Sequence, residues 1–177
     1  YEKNAAIYLD ELKRLVRIPS VSFPGFPEVE VARSADAVAD LLRRRGFEKV
    51  EVLKVDGAHP YVFGERIEDP ALPTVLLYAH HDVQPAADPQ EWTTLPFEPT
   101  VRDGRLYGRG AADDKSGIVV HAAALRALAG TLGCTVKVVV EGEEECSVEH
   151  LPDLVQGHAD LLRADVAVIA DGGNYRT

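Results

Sequence analysis

The sequence contains no methionine, even at position 1, only two cysteines and a single tryptophan. It also has no apolar run near the roughly 18 residues of a bilayer-spanning helix, and its first residues, Tyr1-Glu2-Lys3-Asn4, lack a basic-then-apolar signal pattern. A membrane-spanning or signal-led chain is therefore not expected. The missing methionine at position 1 suggests a piece of a longer gene product. Cys134 and Cys146 cannot form a disulfide framework for a chain of 177 residues, which points to a reducing, cytoplasmic home. Positive charge is also scarce. With 19 Lys and Arg against 29 Asp and Glu, the net charge is −10, which repels nucleic-acid backbones and anionic lipids and leaves divalent cations as the best-tolerated partners. What the chain does have is 46% hydrophobic residues, enough for one well-cored domain or a large part of a longer protein.

Apolar residues Ile7, Leu12, Leu15 and Val16 recur at helical spacing over residues 2–17, and Pro19 stops the pattern. A second helix is predicted over 29–45, with Val31, Ala35, Val38, Ala39, Leu41 and Leu42 on one side and Gly46 as its cap. The triplet Arg43-Arg44-Arg45 reads as a solvated last turn, favoured there by the helix dipole. Strands are predicted at 50–55, 61–64, 74–79, 135–140 and 166–170, each rich in β-branched residues. A long loop over 80–113 precedes an Ala-rich helix over 116–129, and within it Arg102-Asp103-Gly104-Arg105 reads as a turn into a short strand at Leu106-Tyr107. Strands alternating with helices predict an α/β fold: one domain with a central mixed, largely parallel sheet flanked by helices on both faces.

In open α/β sheets ligands bind beyond the carboxyl ends of the strands, so the residues following each apolar run matter most. The run 74–79 leads into His80-His81-Asp82, 135–140 into Glu141-Gly142-Glu143-Glu144-Glu145, and 166–170 into Asp171-Gly172-Gly173. The loop before the Ala-rich helix carries Gly108-Arg109-Gly110-Ala111-Ala112-Asp113-Asp114-Lys115. Each segment has an ordinary explanation when taken alone. The histidines fit loop polarity, the paired aspartates fit a helix N-terminus, the glutamates a solvated acidic turn, and Asp171-Gly172 a simple turn. Their shared position after strands that read as buried is what solvation does not explain. Crowded carboxylates repel, and a metal ion removes the penalty.

Mixed imidazole and carboxylate ligands suit zinc, manganese or cobalt, and neither cysteine has thiolate-site spacing. In an HxD unit one histidine nitrogen binds metal while a carboxylate holds the other and fixes the tautomer. Adjacent glutamates can divide the work, one binding metal and one taking a proton from water. Several carboxylates with one histidine exceed what one ion requires, so a two-metal site bridged by an aspartate fits better.

The motifs 78–85 (YAHHDVQP), 106–115 (LYGRGAADDK) and 141–145 (EGEEE) resemble those of the co-catalytic di-zinc metallopeptidases. That superfamily includes carnosinase-like dipeptidases, peptidase V, glutamate carboxypeptidase, aminoacylase, acetylornithine deacetylase and succinyl-diaminopimelate desuccinylase. The resemblance covers essentially the whole chain. It implies that residues 1–177 are the N-terminal part of a zinc-peptidase catalytic domain, with the lid and dimerisation domain and the rest of the catalytic domain absent. It implies His80 as a terminal ligand of the first zinc, Asp82 as the carboxylate orienting it, and Asp113 as the bridging ligand with a cis peptide before Asp114. It further implies Glu144 as general base, Glu145 as a ligand of the second zinc and Asp171 as the remaining ligand of the first. Aspartate rather than glutamate at 171 tilts the expectation toward dipeptidases over deacylating relatives.

Some positions depart from the family pattern. Ser116 precedes Gly117 where the motif often runs straight from lysine to glycine, and Cys146 stands where a glycine is common and reads as a small buried hydrophobe. His121 reads as a core residue and His59 as a loop residue; His121, His150 and His158 match no family ligand position. The family's second zinc takes a histidine far downstream, beyond Thr177, so this chain is expected to hold the first zinc better than the second and to hydrolyse little alone. The implied reaction of the parent protein is hydrolysis of an amide in a dipeptide or small peptide by a zinc-bridging water. In the family the lid domain and a partner subunit help stabilise the oxyanion, and a homodimer is expected. An N-acyl amino-acid deacylase and a non-catalytic metal-binding module are the rival readings. A dinucleotide site is the poorest rival, because Gly108-Arg109-Gly110 lacks the third glycine at the needed spacing.

Overall fold

The computed structural model describes residues 2–147 and 149–172. After a 3₁₀ turn at Glu2–Asn4 come α1 (Ala5–Val16) and α2 (Glu28–Arg44), then β1 (Lys49–Leu53), β2 (Tyr61–Arg66) and β3 (Thr74–His80). A hairpin of β4 (Thr100–Arg102) and β5 (Arg105–Tyr107) follows, then α3 (Lys115–Ala127), β6 (Thr135–Glu141), α4 (Leu151–Gly157), α5 (Ala159–Leu162) and β7 (Val166–Ile169). None of the described helices is long and apolar enough to cross a membrane.

The main sheet has the order β1-β2-β6-β3-β7. It is mixed: β6, β3 and β7 run parallel, while β1 and β2 add antiparallel on one side. Period-two alternation sends Val62, Val136, Val138, Val140, Leu77 and Ala79 to one face, where α1, α2 and α3 cover them. Tyr61, Phe63, Val139, Leu76 and Tyr78 point to the other face and meet Leu151 and Leu154 of α4 and the leucines of α5. Helices therefore cover both faces, as the strand and helix alternation predicts. The crossover from β3 to β6 carries α3 on one face, and the crossover from β6 to β7 carries α4 and α5 on the other. Because the connection leaving β3 passes to one face and the connection leaving its neighbour β6 to the other, the chain parts at the carboxyl ends of these two strands, where open α/β sheets place their ligands.

The buried face of α2 is the predicted one, with Val31, Ala35, Val38, Ala39, Leu41 and Leu42 all inaccessible, and Gly46 follows at φ +79°. Three expectations change. In α1 the buried side is Tyr8, Glu11, Leu15 and Val16, whereas Ile7 faces out. The arginine triplet is not simply solvated: Arg45 reaches the carboxylate of Glu11 with both side chains about nine-tenths buried, so an ion pair docks α1 on α2. The run at β7 is no buried strand. Val166, Val168 and Ile169 are exposed, because β7 is an edge strand that pairs with β3 on one side, and no described element covers its faces.

His121 is a core residue, its ring Nε2 lying 3.0 Å from the carbonyl of Tyr78. Burial pushes its pKa below the ordinary value, only partly offset by that carbonyl, so the folded state holds the ring neutral. A depressed folded pKa contributes stability that is present above the unfolded value of about 6.5 and is lost as pH falls below it. We expect His121→Gln, which keeps a donor for Tyr78 but cannot charge, to lose less stability than the wild type between pH 7 and 5 in urea titrations. Removing one partner of the inner ion pair leaves a buried charge alone, so Glu11→Ala should cost about 3–5 kcal/mol in the same assay.

Candidate metal centre

β3 and β6 end in register, His80 opposite Glu141, and β7 ends beside Tyr78. The segments that follow, 81–82, 142–145 and 170–171, consequently leave the sheet at one edge. His80 is wholly buried and stands between two kinds of carboxylate. Its Nδ1 lies 3.3 Å from Oδ1 and 3.2 Å from the carbonyl oxygen of Asp82, which is equally buried. Its Nε2 lies 2.9 Å from Asp113 Oδ1, 3.6 Å from Asp171 Oδ2 and 3.8 Å from Glu144 Oε2. Those three carboxylates are open to solvent to different degrees, their side chains 65%, 26% and 35% exposed. Glu145 completes a group with His80 and Glu144 whose ligand atoms lie within 4.8 Å of one another, and Asp114 and Asp171 form a second such group with His80. All six sequence-derived site residues are thus gathered at the end of β3.

Electrostatics explain what this gathering favours. Burial lowers the pKa of His80, but the hydrogen bond and charge of Asp82, with the charges of Asp114 and Glu144, overcome it and raise the imidazole to about 10. Burial raises the Glu144 carboxyl; His80 opposes the rise, and Glu145, Asp171 and Asp82 reinforce it. The cluster therefore places several like charges around one imidazole, a field that attracts a cation. An imidazole nitrogen facing partly open carboxylates, with its other nitrogen held by a buried one, is a donor set that suits zinc, cobalt or manganese.

Asp113 and Asp114, joined by a cis peptide bond, have different tasks. Asp113 points to Nε2 of His80, whereas Asp114 is the N-cap of α3, its Oδ1 accepting from Gly117 N at 3.1 Å and its Oδ2 from His80 N at 3.4 Å. Lys115 turns away from the cluster: its buried ammonium donates to the carbonyls of Leu15 and Ile18 at 2.9 and 2.7 Å, tying the end of α1 to the start of α3. Burial lowers its pKa to about 7.

Sequence reasoning passed over several supporting groups. Glu143, first of the three glutamates, points inward and accepts from Tyr61 Oη, His59 N and the His150 ring, which fixes the turn presenting Glu144 and Glu145. Gln84 donates to Glu145 Oε2 at 2.6 Å. Ser22 donates to Asp82 Oδ2 at 2.6 Å, and Tyr78 Oη to Glu141 Oε2 at 2.7 Å. Burial, opposed by that tyrosine bond and reinforced by Asp82, Glu143 and Glu144, brings the Glu141 carboxyl to about 7. His59 is more than a loop residue, since its ring also meets the carbonyl of Ser22 at 2.9 Å. Cys146 is only partly buried, its thiol directed at the Glu143 carbonyl. A polar residue two positions from a motif histidine or aspartate, as Gln84 and Tyr78 are, was the available signal; Ser22 offered none.

Residues 76–176 match the model of peptidase family M20/M25/M40. The chain belongs to that family. It is 35% identical over 184 residues to the Cys-Gly metallodipeptidase of Schizosaccharomyces pombe, covering 96% of this chain and 39% of the relative. It is 49% identical over 105 residues to the cysteinylglycine-S-conjugate dipeptidase of Corynebacterium striatum, covering 58% of this chain and 23% of the relative. The crystal structure of human carnosine dipeptidase 1 superposes with a TM-score of 0.88 at 32% identity, over 97% of this chain and 39% of that one. The chain thus spans between about a quarter and two fifths of the lengths of these M20 relatives. Membership implies use of a divalent metal, and the clustered donors at the end of β3 are the described residues that suit one.

Gly117 shows how closely the motif is fitted. A Cβ there would stand 2.3 Å from Asp114 Oδ1, the oxygen that caps α3. Glycine to alanine inside a helix ordinarily gains about 0.5–1 kcal/mol. Here the cap and a buried carboxylate are disturbed instead, so Gly117→Ala should destabilise by about 1–3 kcal/mol in urea unfolding.

Proposed function

We propose that this chain supplies most of the metal-binding half of a dipeptidase whose complete form hydrolyses the amide bond of dipeptides or small peptides. The observation that carries the reading is the placement of His80, with Asp82 behind one ring nitrogen and Asp113, Asp171 and Glu144 before the other. On this reading His80, Asp113 and Asp171 would hold one zinc ion, and Glu145 with Asp113 would help to hold a second. When bound, such ions supply Lewis acidity that polarises the scissile carbonyl and lowers the pKa of water toward about 7. Cobalt and manganese suit the same donors.

Asp82 keeps the His80 ring turned so that Nε2 faces the cluster, and Ser22 and the Glu145 backbone N–H in turn fix Asp82. Glu144, partly exposed and within 4 Å of His80 Nε2, is the general base. It takes a proton from the attacking water as the C–O bond forms and passes it to the leaving amine as the C–N bond breaks, so the carboxylate is regenerated. The dipeptidase relatives and Asp171 favour peptides over N-acyl amino acids as substrates. On this reading the oxyanion partner and the remaining ligand of the second ion would come from outside residues 1–177, and the complete protein would be a homodimer.

In the full-length protein, Glu144→Gln should reduce kcat on a dipeptide by about 10²–10⁴ while zinc content by atomic emission stays unchanged. Unchanged turnover would overturn the role of Glu144, and faster cleavage of N-acetyl amino acids than of dipeptides would move the substrate class to the deacylases.

A further inference from the structure

Asp82 is wholly buried, yet its two oxygens are treated differently. Oδ2 accepts from Ser22 Oγ at 2.6 Å and from Glu145 N at 3.0 Å. Oδ1 faces the His80 ring at 3.3 Å, a charge contact without good hydrogen-bond alignment, and no other donor among the described residues reaches it. A carboxylate turns about its Cβ–Cγ bond with a broad, roughly two-fold preference, so something outside the side chain must set its plane. Two donors on one oxygen do so, and they leave the other aimed at His80.

We propose that Ser22 is a positioning residue for the metal centre, acting through Asp82. Ser22 is itself held rigidly. It is almost fully buried, and residues 20–22 run beside residues 81–83 through a parallel bridge between Val21 and Val83, with Val83 N donating to Ser20 O at 3.0 Å. Ser20 Oγ bonds the carbonyl of His81 at 2.6 Å, and the His59 ring meets the carbonyl of Ser22. Upstream, Lys115 clamps the carbonyls of Leu15 and Ile18, so this strap is anchored to the segment that carries Asp113. Because Glu145 N shares Oδ2 with Ser22, one carboxylate links the His80 ring to the backbone of the glutamate turn. Losing the Ser22 donor loosens both the imidazole and the placement of Glu145.

The inference rests on the proposed metal centre, and zinc binding tests it. Zinc affinity is measured by competition with a chromophoric chelator for the wild type, Ser22→Ala, Ser22→Thr, Asp82→Asn and the double variant Ser22→Ala/Asp82→Asn. Supporting partners of metal-binding histidines are typically worth 10–100-fold in affinity. We expect Ser22→Ala to weaken zinc binding by about that factor, Ser22→Thr, which keeps the hydroxyl donor, to stay closer to the wild type, and the Ser22→Ala change to add less than about twofold in the Asp82→Asn background. Thermal unfolding in EDTA, run alongside, separates affinity from fold. A lower EDTA melting temperature with unaltered zinc affinity overturns the inference, as does an equal loss of affinity with and without Asp82. If Ser22→Ala does not fold, Ser22→Gly alone and in the Asp82→Asn background decides by the same criteria. Wild-type protein that binds no zinc overturns the metal centre itself, whereas zinc binding indifferent to Ser22 overturns the positioning role alone.

Discussion

The arrangement depends on one buried anion. Asp82 has no accessible surface, and leaving a carboxylate in such a place unpaired costs several kcal/mol. Its partners come from three distant segments: Ser22 after α1, His80 at the end of β3, and the backbone of Glu145 after β6. Burial alone would raise its pKa, yet the hydrogen bonds from His80 and Ser22 and the two neighbouring imidazoles keep it below the ordinary carboxylate value. Satisfying this one group brings together the segments that carry the candidate ligands. The neighbouring His81 serves the same end differently: burial drives its pKa to about 4, and its neutral ring bonds the carbonyl of Pro60.

The sheet topology makes the meeting of these segments possible. Parallel strands deliver their carboxyl ends to the same edge, and β6, β3 and β7 are the parallel ones. The antiparallel strands β1 and β2 contribute no candidate ligand from their ends. They contribute support, since Tyr61 of β2 and the adjoining His59 bond Glu143. Close approach of segments at this edge of the sheet depends on glycine. Gly142 would place a Cβ 2.4 Å from the Pro60 carbonyl, and Gly110 combines φ +82° with a Cβ position 2.7 Å from Val83.

Periodic features and chemistry next to a strand end were legible in the sequence. The buried face of α2 follows from spacing alone, and the sheet strands begin and end within two residues of their predicted limits. The four segments carrying His80 and Asp82, Asp113, Glu144 and Glu145, and Asp171 stood out because each follows an apolar run or opens a helix; which residues within them were expected to act came from the resemblance of the motifs to the di-zinc peptidases. The strap at 20–22 was not legible. A hydrogen bond between residues 60 positions apart leaves no period, and serine in a loop is commonplace. The pair of Arg45 with Glu11 was missed likewise, because basic residues in a last turn already have a local explanation. The strand β4 was hidden because its Thr-Val-Arg has no apolar alternation and its last residue reads as part of the turn at 102–105, and the exposure of β7 was hidden by the assumption that β-branched runs are buried.

The graded exposure of the acidic groups reconciles folding with cation capture. Two unit charges 4 Å apart interact by about 4 kcal/mol at an effective dielectric of 20 but by about 1 kcal/mol in water. Four carboxylates as deeply buried as Asp82 would repel too strongly for the fold to keep them together. Of the carboxylates among the six site residues only Asp82 is fully buried, and it is paired; Asp114, Glu141 and Glu143, buried beside them, each accept from donors of their own. Asp113, Glu144 and Asp171 approach the same imidazole nitrogen from the solvent side, where water screens their repulsion. Binding a cation would remove that water and replace screening by direct attraction. The energy of crowding is thus modest in the folded chain without metal and becomes available to the ion that relieves it.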